Sequence, residues 1–208
     1  MSHIKKNWTS MRKLKKIFFR LFHAEQGLAA VEFALALPLL IILTFGALEV
    51  TLYVLITQKL ERVSLTLSDL VTQSNSVTTA QLDQIIPSAG QVMLPYKFST
   101  DGYAIISSIT KTGTNPPVIN WQYKSTGTAQ TSNFGIAGGN ATMPANFTMV
   151  DKDTVIVTEV FYNYKPVLFG IIYNSGQMYR YSIFKPRIGN LTVLGSISSD
   201  RKNGGCYV

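Results

Sequence analysis

The chain has very little of what catalysis in a small domain is usually built from. Its 208 residues hold two histidines, His3 and His23, and one cysteine, Cys206, third from the end. No histidine occurs after residue 23, so neither a Ser-His nor a Cys-His nucleophile pair can be assembled downstream. Imidazole ligation of a metal is excluded there for the same reason. A single cysteine forms no intrachain disulfide, so no bridge pattern reports the redox compartment. The acids Asp69, Asp83, Asp101, Asp151, Asp153, Glu159 and Asp200 are scattered, and Asp151-Lys152-Asp153 reads as a turn. Gly135 to Gly139 lacks the lysine and the flanking strand and helix of a phosphate-binding loop. The sequence therefore reads as that of a protein that is not an enzyme, with no catalytic residue, no cofactor and no metal.

Basic charge is also missing from most of the chain. The formal net charge is +8, but residues 1–27 carry seven Lys or Arg against Glu25 alone, a net of +6. The other 181 residues hold 12 basic and 10 acidic side chains, a net of +2. Basicity confined to a leader, with no basic stripe or aromatic motif downstream, argues against nucleic acid as a partner.

The leader gives way to a long apolar run. Leu28 to Leu48 contains one charge, Glu32, close to its start. As a helix its 21 residues rise about 31 Å, against a hydrocarbon core of about 30 Å. Pro38 removes one backbone donor, which membrane helices tolerate with a local kink. The excess of Lys and Arg before the run places the N-terminus in the cytoplasm and the C-terminal part across the membrane. A removable secretory signal needs a shorter run, about 7–15 residues, ending in small residues. Glu49-Val50-Thr51-Leu52-Tyr53 does not supply them.

A carboxylate at the centre of a bilayer costs on the order of 2.5–3.5 kcal/mol on insertion scales, and less near an interface. Glu32 lies four residues past Leu28, about 6 Å along a helix. It either reaches to the headgroups or has a partner. A cut between Gly27 and Leu28 would create an α-amino group with a pKa of about 7.7–8.0. In a bundle of staggered parallel helices, that cation would sit beside Glu32 of a neighbouring subunit and set the axial register.

Gly27-Leu28-Ala29-Ala30-Val31-Glu32-Phe33 resembles a prepilin junction, in which a peptidase cuts after Gly and Glu is the fifth residue of the mature chain. The longer stretch through Pro38-Leu39-Leu40 and Phe45-Gly46 to Glu49 is similar to the TadE-like family, pseudopilins of the tight-adherence (Tad/Flp) pilus assembly system. The resemblance implies a prepilin peptidase, sister pilins and pseudopilins, an inner-membrane assembly platform and the lipid bilayer as partners. It assigns Gly27 and Leu28 to the cleavage site, Glu32 to assembly register, and Phe33 and Pro38 to helix packing and the kink. The 181 residues left after a cut are far more than a major Flp pilin retains, which points to a pseudopilin.

From residue 58 the pattern changes. Leu60, Val63, Leu67, Leu70 and Val71 recur at helical spacing between Lys59, Glu61, Arg62, Ser64 and Asp69, an amphipathic continuation whose apolar stripe faces a sheet. Helix over 28–72 would be roughly 68 Å long. Thr79 to Ile86 predicts a second helix stopped by Pro87. Strands are predicted at Tyr103–Thr110, Val118–Tyr123, Thr154–Tyr164 and Met178–Phe184. Along Val155 to Tyr164 both alternating faces are partly apolar, as in a sheet covered on both sides. Tyr164-Lys165-Pro166 and Pro186-Arg187 also resemble the second half of TadE-like proteins. Residues 124–150, rich in Ser, Thr, Gly and Asn, read as a long exposed loop.

The expected organisation is a basic cytoplasmic leader (1–27), a transmembrane helix (28–57) and an extracytoplasmic α+β head (58–208). The fold class is α+β, a long N-terminal transmembrane helix running into a pilin-like head with a mainly antiparallel sheet. The function expected is that of a pseudopilin processed after Gly27 and held in the bacterial inner membrane by a single pass. The alternative is an uncleaved single-pass anchor carrying a binding domain outside. A membrane-tethered hydrolase would require a cleft with a perturbed acid pair.

Overall fold

The computed structural model describes residues 25–125, 130–166 and 174–195, and for Glu25–Gly27 the backbone alone. The chain divides into two compact units, Met1–Val50 and Thr51–Val208. The elements in chain order are α1 (Glu25–Thr72), β1 (Val77–Thr78), α2 (Thr79–Met93), the single turn α3 (Phe98–Asp101), β2 (Gly102–Thr110), β3 (Val118–Lys124), β4 (Thr154–Tyr164), β5 (Gly176–Phe184) and β6 (Leu194–Gly195). The architecture is α+β: a long N-terminal apolar helix, then a domain with a four-stranded antiparallel sheet.

In the first unit the described residues are helical throughout, and Pro38 lies inside α1 without ending it. In the second unit the sheet runs in the order β3-β2-β4-β5, with every neighbouring pair antiparallel. The four strand predictions agree with β2 to β5 to within two residues at each end. Strand β4 is buried at every position but Asn163, because side chains alternate between two covered faces.

One face is covered by helices. The part of α1 after Val50 presents Ile56, Leu60, Val63, Leu67 and Val71, all buried, at spacings of four, three, four and four that keep them on one stripe. Leu60 and its neighbours pack with Ala104, Val160, Tyr162 and Tyr164, while Val71 packs with Ile106 and Ile156. Tyr53, counted with the apolar span by its sequence, meets Tyr164 edge-on at 5.4 Å. Ser64, expected between the apolar positions, is buried with Ser68 and Thr72. Ser68 Oγ donates to Thr158 Oγ1 at 2.8 Å and lies 2.7 Å from Ser182 Oγ, and Ser182 donates to the Ser64 carbonyl at 2.8 Å. These hydroxyls fix the helix on the sheet, and each has its own polar partner in the buried layer.

The opposite face corrects the reading of residues 124–150. The described part, 130–150, has no helix or strand, but it is not an exposed excursion. Phe134 and Met149 are buried and pack with Ile109, Ile119, Val155 and Val157. Phe134 and Met149 are its buried anchors, with Ala141, Met143 and Phe147 packed beside them.

Strand β3 serves both faces. Ser108 pairs with Trp121 and Ile109 with Ile119, so Asn120 is an extra residue. A regular strand would put residues 119 and 121 on one side, and the bulge separates them. Trp121 thus joins the helix-side core and Ile119 the outer one.

Helix α2 also departs from expectation. It begins on a capping box, Thr78 Oγ1 accepting from Gln81 N and Gln81 Oε1 from Thr78 N at 2.9 Å, but continues through Pro87 to Met93. An interior proline costs about 3 kcal/mol. Burial of Ala89 and Met93 in the turn beyond it offsets that cost, and Lys59 Nζ donates to the Leu94 carbonyl at 2.8 Å just past the helix end. The short parallel pair β1–β6 was not expected. It is held by Trp121 Nε1 donating to the Leu191 carbonyl at 2.8 Å and by Arg187, whose backbone N–H donates to the Thr72 carbonyl at 3.0 Å. Cys206 lies outside the described residues.

Candidate functional site

The residues singled out by sequence fall in the first unit, on α1. From Leu28 to Leu48 every described side chain is exposed apart from Val31 and Gly46, which are half-buried. Leu28 is 57% exposed and Phe33 60%, and Leu35, Leu39 and Leu43 are similarly open. The helix is long and apolar enough to cross a membrane, with mean hydropathy 2.4 and none of its most apolar window buried. An all-round apolar helix with no protein cover satisfies its backbone internally but leaves its side chains to lipid or to other helices.

Glu32 is exposed one turn beyond Leu28 and makes no ion pair with a described residue. Gly27 lies on α1, whose described backbone begins at Glu25. Pro38 withholds the amide that the Ala34 carbonyl would otherwise accept. Further along, Thr44 Oγ1 donates back to the Leu40 carbonyl at 2.7 Å. The structure thus brings Leu28 and Glu32 onto neighbouring turns of one exposed helix and leaves Phe33 and Pro38 open on the same element.

The second unit contains charged chemistry of a different kind. Asp101 pairs with Lys165 at 2.9 Å, Asp153 with Lys185 at 2.8 Å and Asp69 with Arg187 at 2.5 Å. The hydrogen bond from Lys165 holds the Asp101 carboxyl below its ordinary range, and that from Lys185 does the same for Asp153. Glu159, the one charge in β4, is 0% exposed. Its carboxylate accepts from Ser132 Oγ, from the Asn133 backbone N–H at 2.9 Å and from Tyr179 Oη at 2.9 Å. Burial first, and then the neighbouring Glu159 carboxylate, push the Tyr179 phenol upward. A carboxylate met by three donors is a fastening, and it ties residues 132–133 to the outer face of the sheet. Glu159 was not singled out by sequence, although a lone acid in a Val-rich strand was the available signal. These acids sit in separate pairs, an arrangement for holding the fold together and not the coupled acid pair of a hydrolase.

Comparison with known proteins bears on the first region. The family model described as TadE-like protein matches residues 27–66. The matched stretch contains Gly27, Leu28, Glu32, Phe33 and Pro38, and it ends inside the amphipathic half of α1. No curated protein and no solved structure matches the chain.

Proposed function

We propose that this protein is a membrane-inserted pseudopilin that takes part in Tad/Flp pilus assembly and is cut by a prepilin peptidase after Gly27. The observation that carries the reading is the coincidence, on one uncovered apolar helix, of the TadE-like match at 27–66 with a Gly-Leu junction one turn before the span's only acid. The basic leader holds the N-terminus in the cytoplasm. Gly27 admits the peptidase, because a side chain there would crowd the scissile bond. Once cut, Leu28 offers a cationic amine, and Glu32 of a neighbouring subunit pairs with it and sets the stagger. Phe33 and the kink at Pro38 shape the packing with sister pilins, pseudopilins and the inner-membrane platform. The unit after Val50 then lies outside the cytoplasm. The role is structural and needs no catalytic group, cofactor or metal.

The direct test is the intact mass of the protein recovered from membranes of cells with and without a prepilin peptidase. The expected result is a chain starting at Leu28 only when the peptidase is present. An intact leader in both would favour the uncleaved anchor. Glu32→Ala is expected to be inserted and cut but to support no pili, and normal piliation in that variant would remove the register role.

A further inference from the structure

Helix α2 breaks helix-forming rules on one face only. Its buried side is Leu82, Ala89 and Met93. Its other side carries Pro87 and Gly90, which cost about 3 and about 1 kcal/mol relative to Ala in a helix interior. Packing does not ask for the glycine, since a Cβ at Gly90 would meet nothing within 4 Å. A helix glycine with no packing return is expected where a surface has a task.

That face lines a cleft of about 550 Å³ within the second unit, closed by the segment 94–102 and the end of β3. The volume falls within the roughly 300–1,000 Å³ of ligand sites. Gly90 leaves the helix backbone uncovered, Pro87, Pro95 and Tyr96 supply rigid apolar surfaces, and Asp83 and Tyr123 supply the polar end. The Tyr123 phenol donates to Asp83 Oδ1. Burial first, and then Asp83, push that phenol up to about 12, so it stays a neutral donor at physiological pH. Asp83 makes no ion pair with a described residue. Lys97 also borders the cleft, but its charge bears on Asp101, whose carboxyl it helps to hold down. Among the described residues the cleft therefore has one carboxylate, Asp83, that makes no ion pair, with Lys97 on its border and rigid walls of proline and tyrosine.

This combination selects its occupant. A prolyl segment has no N–H at its prolines, so it lies against apolar walls without stranding donors. Its preformed extended helix also loses little entropy on docking between aromatic rings. The exposed Asp83 carboxylate, in no ion pair with a described residue, can take a cation beside it. We propose that this cleft docks an extended proline-containing segment of a partner protein, with a Lys or Arg next to the prolines paired to Asp83. The proposal goes beyond the pseudopilin reading and does not depend on cleavage.

The test uses the full chain in phosphatidylcholine nanodiscs, so that the apolar helix is covered and no detergent enters the cleft. Its probe is fluorescein-labelled acetyl-Ala-Pro-Pro-Leu-Pro-Arg-Pro amide, monitored by anisotropy. Saturable binding is expected, weakened at least tenfold by Asp83→Asn and by Glu in place of Arg in the peptide. Gly90→Trp fills the cleft and abolishes binding, while Gly90→Ala melts no lower than wild type and keeps it. Should Gly90→Trp misfold, Gly90→Leu gives the same test with a helix-favouring residue. No saturable binding, equal binding to empty discs, binding that survives a folded Gly90→Trp, or indifference to the Arg-to-Glu exchange would each overturn the proposal.

Discussion

The two stretches of α1 are made of similar residues and meet opposite conditions. Between Leu28 and Leu48 the leucines and isoleucines are open to the surroundings, whereas Ile56, Leu60, Val63, Leu67 and Val71 are buried. What differs is the arrangement of polar residues. Downstream, Lys59, Glu61 and Arg62 give the helix a side for water, so one sheet face suffices to bury the rest. Upstream there is no polar side, and no single neighbour could cover the helix. One half of α1 is covered by the sheet of its own unit, and the other keeps its apolar side chains exposed among the described residues.

Substitutions can break that contrast. Leu67→Ala should cost the second unit about 2–5 kcal/mol, the range for emptying a buried leucine site. Leu39→Ala should change unfolding in nanodiscs by less than about 0.5 kcal/mol. Equal losses in a urea titration would mean that the upstream stretch is also packed within the chain. Next in size is Glu159→Leu, which removes three charge-assisted contacts from donors that are half-buried or exposed, at about 2 kcal/mol. Limited proteolysis should then cut between residues 130 and 150. A loop that stays resistant would show that its apolar anchors, Phe134 and Met149 with Met143 and Phe147 beside them, hold it without the carboxylate.

Tyr123→Phe should cost about 1 kcal/mol at neutral pH, the net worth of one hydrogen bond. The pH dependence has a definite sign. The phenol's pKa is raised in the folded protein from 10.0 to about 12, so its contribution is complete below pH 10 and is lost as the pH rises towards 12. Melting temperatures taken across that window should converge for wild type and variant, and a constant difference would refute the assignment. The smallest effect is a gain. Lys152 has φ 65° in the turn between Val150 and Asp153, a conformation glycine adopts freely. Lys152→Gly should stabilise by about 0.5 kcal/mol, because relief of the left-handed strain is partly cancelled by chain entropy. A lower melting point would mean that the ammonium contributes at this turn.

Much of the second unit was legible because its signals are local. Strand β4 announces itself by its run of Val, Ile and Tyr, and the stripe from Leu60 to Val71 by its spacing. The failures have long-range causes. Pro87 reads as a stop, but burial of Ala89 and Met93 carries α2 past it. Residues 130–150 read as solvated, but Phe134 and Met149 are anchored by strands distant in sequence. In the first unit the residues marked by sequence are displayed on α1, where Glu32 makes no ion pair with a described residue.

The sequence by itself determined which segment is long and apolar enough to cross a membrane, where the charge in that segment lies and where the sheet strands run. Those properties depend on composition and on periods of 2 and 3.6, which neighbouring residues carry. Only the tertiary structure decided that Asn120 would be the extra residue separating Trp121 from Ile119, that Glu159 would fasten a distant loop, and that Asp83 would meet Tyr123 beside a cleft floored by Gly90. Each of these joins residues roughly ten to forty positions apart by pairing across strands or layers, and no local pattern encodes such pairings.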